Sequence, residues 1–204
     1  MKVKHISIAV DPEQTGNPVF GAPADLTAYI LEPVEGITDK KRPAVLLCPG
    51  GGYHKLSGRE DQPIAMKYLA AGFHVFVLHY SLVPDVFPRA LMELALSMKL
   101  IREHGNEWNV DVKRIAVSGF SAGGHLACCL GTFWNKEWLY KALEVKPEMI
   151  QPNGMILCYP VITSGEYCHK GSFECLMGTE ASKKDVELRR LLSLEYQVGP
   201  QVPK

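Results

Sequence analysis

The feature that most constrains the fold is Pro43 to Cys48, PAVLLC, an apolar run that stops abruptly at Pro49-Gly50-Gly51-Gly52. A strand wet on one face alternates polar and apolar residues. A short continuous apolar run bounded by turn residues instead fits a strand covered on both faces, as in a parallel sheet between helical layers. Phe73 to Tyr80 (FHVFVLHY), Arg114 to Val117 and Gly154 to Tyr159 (GMILCY) read as further strands. Helical patterns lie between them. Pro63 to Ala71 ends at Gly72, a suitable residue just past a helix C-terminus. From Pro88, the apolar residues Leu91, Leu94, Ala95, Met98 and Ile101 recur at three and four, giving one buried face that finishes near Gly105. Ala122 to Leu130 reads as a helix of small residues. This alternation predicts an α/β sandwich with a mostly parallel sheet.

The flanks carry weaker signals. Val3 to Val10 and Leu26 to Leu31 read as two early strands separated by the loop TGNPVFGAPAD. Beyond Pro160, VITSGEYCHKGSFECLMGTEAS reads as loop and irregular structure, Lys183 to Leu192 as a short amphipathic helix, and LEYQVGPQVPK as strand-free. No repeat or linker divides the chain, so residues 1–204 read as one domain, long enough to bury a substantial core.

Charge narrows the partners. Lys+Arg and Asp+Glu both number 22, so no basic excess draws the surface to nucleic acid or anionic lipid. The N-terminus MKVKHISIAVDPEQ has no apolar core for a signal peptide, since Asp11 and Glu13 interrupt it, and no apolar run reaches membrane-spanning length. Cys48, Cys128, Cys129, Cys158, Cys168 and Cys175 form no C-x-x-C pair, and most sit in apolar segments where Cys acts as a small hydrophobe. A reduced cytoplasmic protein is the expectation.

Gly119-Phe120-Ser121-Ala122-Gly123 fits G-x-S-x-G, between the strand RIAV and the helix AGGHLACCL. A strand turning sharply into a helix lifts the serine Oγ clear of the sheet, and glycines flank it because a Cβ there would strike backbone. The helix N-terminus offers unpaired N–H groups and a positive dipole end to a developing oxyanion. A tight packing turn would look similar, but a second motif decides between them. Cys48-Pro49-Gly50-Gly51-Gly52-Tyr53 follows the earlier buried strand, where a hydrolase of this architecture places its other oxyanion donors. The same glycines could form a flexible turn or a phosphate loop, yet they lack the G-K-[ST] ending of the latter.

With CPGGGYHKLSGRED, FVLHYSLVP, WNVDVKRIAVSGFSAGGHLA and ILCYPVIT, the sequence from Pro43 to Val202 resembles the α/β-hydrolase esterases that have an HGGG-type oxyanion loop. The resemblance is greatest to the bacterial acetylxylan-esterase-like and sugar-ester branch. Pro49 stands where many relatives carry the loop histidine, which organises the loop and does no chemistry. The resemblance implies a three-layer sandwich, Ser121 as nucleophile, and the N–H groups of Gly51, Gly52 and Ala122 as the oxyanion hole. It implies no metal or organic cofactor.

Such a serine needs a base oriented by a carboxylate, and in this fold the order along the chain is Ser, Asp or Glu, His. Beyond Ser121 only His125 and His169 remain. His125 lies inside the elbow helix and reads as structural, and His169 reads as a solvated loop residue despite Glu166 nearby. His5, His54, His74, His79 and His104 precede the serine, and His54 is expected at the site entrance. Tyr53, Tyr80 and Val161 to Gly178 are candidates for the pocket wall. Relatives continue past GPQVP into two more strands that carry the Asp and His, so the expectation is a chain shortened at Lys204, with its last two strands lacking. GMILCY would then be an open sheet edge, inviting self-association or pairing with another chain.

Two classes of function follow. One is a serine carboxylesterase hydrolysing small acyl esters, acetylated sugars or xylo-oligosaccharides among them, with a peptidase or dienelactone-type hydrolase as variants. A cysteine nucleophile would have suggested the dienelactone type, and here the residue is Ser121. The other is a hydrolase-derived scaffold that binds a ligand or partner without turnover.

Overall fold

The computed structural model describes residues 1–34, 36 and 40–203; Lys204, where the sequence suggests shortening, lies outside them. In chain order the elements are β1 (Lys2–Ile8), α1 (Pro12–Thr15), β2 (Ala24–Ile30), β3 (Arg42–Cys48), α2 (Gln62–Ala70), β4 (His74–His79), α3 (Arg89–Glu103), β5 (Val110–Phe120) and α4 (Ala122–Phe133). They continue with α5 (Glu137–Ala142), α6 (Pro147–Ile150), β6 (Gly154–Cys158), α7 (Lys170–Met177), α8 (Thr179–Lys184) and α9 (Val186–Leu192). Short 3-10 turns occupy Gly58–Glu60 and Leu194–Tyr196.

One six-stranded sheet runs in the order β1-β2-β4-β3-β5-β6. β4, β3, β5 and β6 are mutually parallel, and β2 and β1 add antiparallel strands at one side. The period of two along each strand sends alternate residues to opposite layers. Leu46, Phe76, Leu78 and Val117 join Leu91 and Met98 of α3 and Leu126, Leu130 and Phe133 of α4 in the larger core. Leu47, Val75 and Val77 face the other way, onto Ala65 and Leu69 of α2. Both faces are therefore covered, as the unbroken run PAVLLC requires.

Several expectations need correction. The short strand at Arg114 to Val117 is part of the longer β5, whose Val110 already pairs with Arg42. The region after Pro160 contains α7 and α8, not loop alone, and Lys183 to Leu192 is not one helix. Asp185 interrupts it: the side chain accepts from the Leu188 N–H at 2.8 Å and starts α9 anew. Among its described residues the last segment bears no strand, as read, and it returns to α4, where Trp134 Nε1 donates to the Gln201 carbonyl at 3.0 Å. β6 is an edge strand; among the described residues none pairs with its outer side.

Candidate active site

β5 and α4 meet at Ser121, and the chain turns there in a conformation few L-residues adopt, with φ 52° and ψ −117°. The neighbouring backbone is closely packed. A Cβ on Gly119 would lie 2.1 Å from the Gly123 carbonyl oxygen, and one on Gly123 would lie 2.2 Å from that of Cys48. Ser121 is also tied to the end of β6: its N–H donates to the Cys158 carbonyl at 3.0 Å, and its carbonyl accepts from Val161 at 3.1 Å. Its N–H and C=O are thus fixed while the side chain, half-buried, faces a cleft of about 500 Å³.

That cleft is lined by Ser121, Gly51, Lys55, Arg59, Glu60 and Tyr159, with Leu56 as its one aliphatic side chain. Gly51 and Ser121 both line it, while Gly52 and Ala122 are buried and do not. The glycine loop has φ 134° at Gly51 and 68° at Gly52, values that a side chain would oppose. A Cβ on Gly51 would also fall 2.1 Å from the Lys55 carbonyl oxygen. Among the described residues no acceptor meets the N–H of Gly51, Gly52 or Ala122.

The histidines are placed elsewhere. His125 is fully enclosed: its Nδ1 lies 2.9 Å from Tyr53 Oη and its Nε2 2.9 Å from the Leu192 carbonyl. Burial pulls its pKa down to about 4, so it is a neutral structural residue, as its place in the helix suggested. His169 is exposed and caps α7, with Nδ1 2.8 Å from Ser172 Oγ. His54 is exposed but does not line the Ser121 cleft. Tyr53 and Tyr80 do not line the Ser121 cleft either: both are buried, and Tyr80 donates to the Pro49 carbonyl at 2.7 Å. Part of the stretch Val161 to Gly178 does line a cavity of about 610 Å³, but Ser121 is not on its wall. Among the described residues no histidine or carboxylate hydrogen-bonds Ser121 Oγ.

Sequence reasoning missed Glu60 and Tyr159. Glu60 Oε2 accepts from the Gly50 N–H at 2.8 Å, and Oε1 accepts from Tyr159 Oη at 2.7 Å. That bond to the carboxylate pushes the phenol up to about 12. Nothing local in GRED marks a glutamate that reaches a glycine ten residues back and a tyrosine at the end of another strand.

The BD-FAE family model matches residues 33–157, over half of the sequence and both glycine motifs. The chain belongs to the BD-FAE family. This member is similar to endo-1,4-beta-xylanase B of Butyrivibrio fibrisolvens, 34% identical over 192 residues that make up 90% of this chain and 28% of that protein. It is 30% identical to an acetylxylan esterase of Xylanibacter ruminicola over 69% of this chain and 27% of that one. Its fold matches an acetyl ester-xyloside bifunctional hydrolase from Caldicellulosiruptor lactoaceticus with a TM-score of 0.80 and 29% identity, over 98% of this chain and 71% of that chain. The BD-FAE chain thus spans about a third or less of the curated relatives it matches. The sandwich expected from the sequence is the α/β-hydrolase fold.

Proposed function

We propose that this chain carries the nucleophilic half of a serine carboxylesterase acting on small acyl esters, acetylated sugars or xylo-oligosaccharides among them. The observation that carries the reading is the Ser121 elbow, opening on the same cleft as a glycine loop with unpaired N–H groups. Ser121 Oγ attacks the acyl carbon while its proton passes to a general base. The Gly51, Gly52 and Ala122 amides stabilise the oxyanion, the alcohol departs with that proton, and water then hydrolyses the acyl-enzyme. The base and its carboxylate come from outside the described residues. The names of the relatives, an acetylxylan esterase and an acetyl ester-xyloside hydrolase, support a sugar-ester substrate. The xylanase name does not carry over to this cleft: glycoside hydrolysis ordinarily uses two carboxyl groups, and among the described residues only Glu60 lines it.

The test is labelling by a fluorophosphonate probe of the longest product of the gene. Wild type should label and Ser121→Ala should not; equal labelling, or none in either, removes the nucleophile assignment. One observation favours the binding-scaffold reading for the 204 residues alone, namely that no described histidine reaches Ser121. Losing the histidine of a subtilisin triad costs about 10⁶-fold in turnover. A longest product that neither labels nor hydrolyses p-nitrophenyl acetate decides for the scaffold.

A further inference from the structure

We propose that Glu60 is the positioning residue of the cleft, its carboxylate clamping the glycine loop so that the Gly51 and Gly52 amides face Ser121. This rests on the reading of Ser121 as nucleophile and concerns a residue to which that reading gives no role.

Three consecutive glycines are free to rotate, and a useful oxyanion hole must already be in place when charge develops. The loop is fixed from several sides. The Gly50 carbonyl accepts from Ser57 at 2.8 Å, the Pro49 carbonyl accepts from Tyr80, and the Gly51 carbonyl accepts from Lys55 at 3.2 Å. All three bonds hold carbonyls. Among the described residues the one acceptor that holds an amide of this glycine run is Glu60, on Gly50. Glu60 also presses the loop against the serine: a Cβ on Gly50 would lie 2.6 Å from Glu60 Oε2, 2.6 Å from the Phe120 carbonyl and 3.1 Å from Ser121 Cβ.

The second carboxylate oxygen ties Glu60 to Tyr159. Tyr159 directly follows Cys158, whose carbonyl holds the Ser121 N–H, so the elbow and the glycine loop are referenced to one point at the end of β6. An acceptor of charge −1 suits this place, because charge-assisted bonds are shorter and about twice as strong as neutral ones. It also fixes the Gly50 peptide, while the next two amides meet no acceptor among the described residues.

The experiment compares Glu60→Ala, Glu60→Gln and Tyr159→Phe with wild type and Ser121→Ala. Hydrogen–deuterium exchange over residues 49–53 reads the clamp without any turnover. The expected result is exchange faster by about 10-fold in Glu60→Ala and close to wild type in Glu60→Gln, whose amide oxygen still accepts from Gly50. Equal exchange in Glu60→Ala and wild type overturns the proposal. Kinetics on p-nitrophenyl acetate with the longest gene product supply the second readout. Glu60→Ala should lower kcat by about 10- to 100-fold with KM nearly unchanged, and Tyr159→Phe should have a smaller effect on kcat. A dead Ser121→Ala beside a Glu60→Ala with wild-type kcat also overturns it. If Ser121→Ala hydrolyses as fast as wild type, the nucleophile reading has failed instead, and exchange alone decides the clamp.

Discussion

Tyr53 Oη sits 2.9 Å from His125 Nδ1, and the two residues lock α9 onto the elbow helix. The Leu192 carbonyl can only accept, so His125 Nε2 carries the proton and Nδ1 accepts from the phenol. The histidine is held neutral, with its pKa lowered from 6.5 to about 4 by burial. Its contribution to stability is fully present above the unfolded value of 6.5 and is lost as pH falls through about 4. The whole contribution is on the order of 3 kcal/mol. Urea unfolding at pH 7 and pH 4.5 should show this loss, and His125→Gln should flatten that part of the pH dependence. An unchanged slope in the variant would remove His125 as its source.

Gly123→Ala puts a methyl group 2.2 Å from the Cys48 carbonyl and 2.4 Å from that of Pro49. Backbone at the end of a central strand has little room to yield, and overpacking of this kind costs about 1–3 kcal/mol or more. Thermal melts should show a Tm lower by at least about 2 °C. Gly58→Ala, where a Cβ meets nothing within 4 Å, is the control and should melt with wild type.

What could be read from the sequence was what is decided locally. PAVLLC and FHVFVLHY announce doubly covered strands because burial on both faces removes polar residues one by one. The elbow is legible because its glycines stand next to the serine whose geometry demands them. Contacts across the chain leave no such mark: Glu60 meets Tyr159, and His125 meets Leu192, only after the sheet is assembled. Helix α7 was hidden for a different reason. KGSFECLM is short, its apolar spacing is interrupted, and its cap is a histidine, not the Ser, Thr, Asp or Asn that ordinarily signals a start.

Arg89 is buried between Asp85, at 2.7 Å, and Glu93, at 3.1 Å, and its Nη2 donates to the Gly21 and Ala22 carbonyls. Burial raises the Asp85 carboxyl, but the Phe20 N–H, Arg89 and the Gly21 N–H outweigh it and hold the group below its ordinary value. Arg89→Ala would strand two buried acids, so a loss of about 3–5 kcal/mol is expected by chemical denaturation. The exposed pair of Lys141 and Glu137 provides the contrast. Lys141→Ala should change stability by less than about 1 kcal/mol. Similar losses in the two variants would contradict the role assigned to the buried network.

Ser121 itself stores strain. Its φ of 52° with ψ of −117° belongs to a region that glycine enters freely and other residues enter at about 1–3 kcal/mol. Ser121→Gly should relieve that strain, while the added freedom of the unfolded chain takes back about 0.5–1 kcal/mol. The net expectation is a variant about 1 kcal/mol more stable than wild type, with Tm higher by about 2–4 °C. Ser121→Ala keeps the Cβ and should gain nothing. Both variants remove the hydroxyl, so the stability difference between them isolates backbone strain from any effect of Oγ. A Ser121→Gly protein no more stable than Ser121→Ala would mean that the strain does not exceed the roughly 0.5–1 kcal/mol taken back by the unfolded chain, which contradicts the gain expected here.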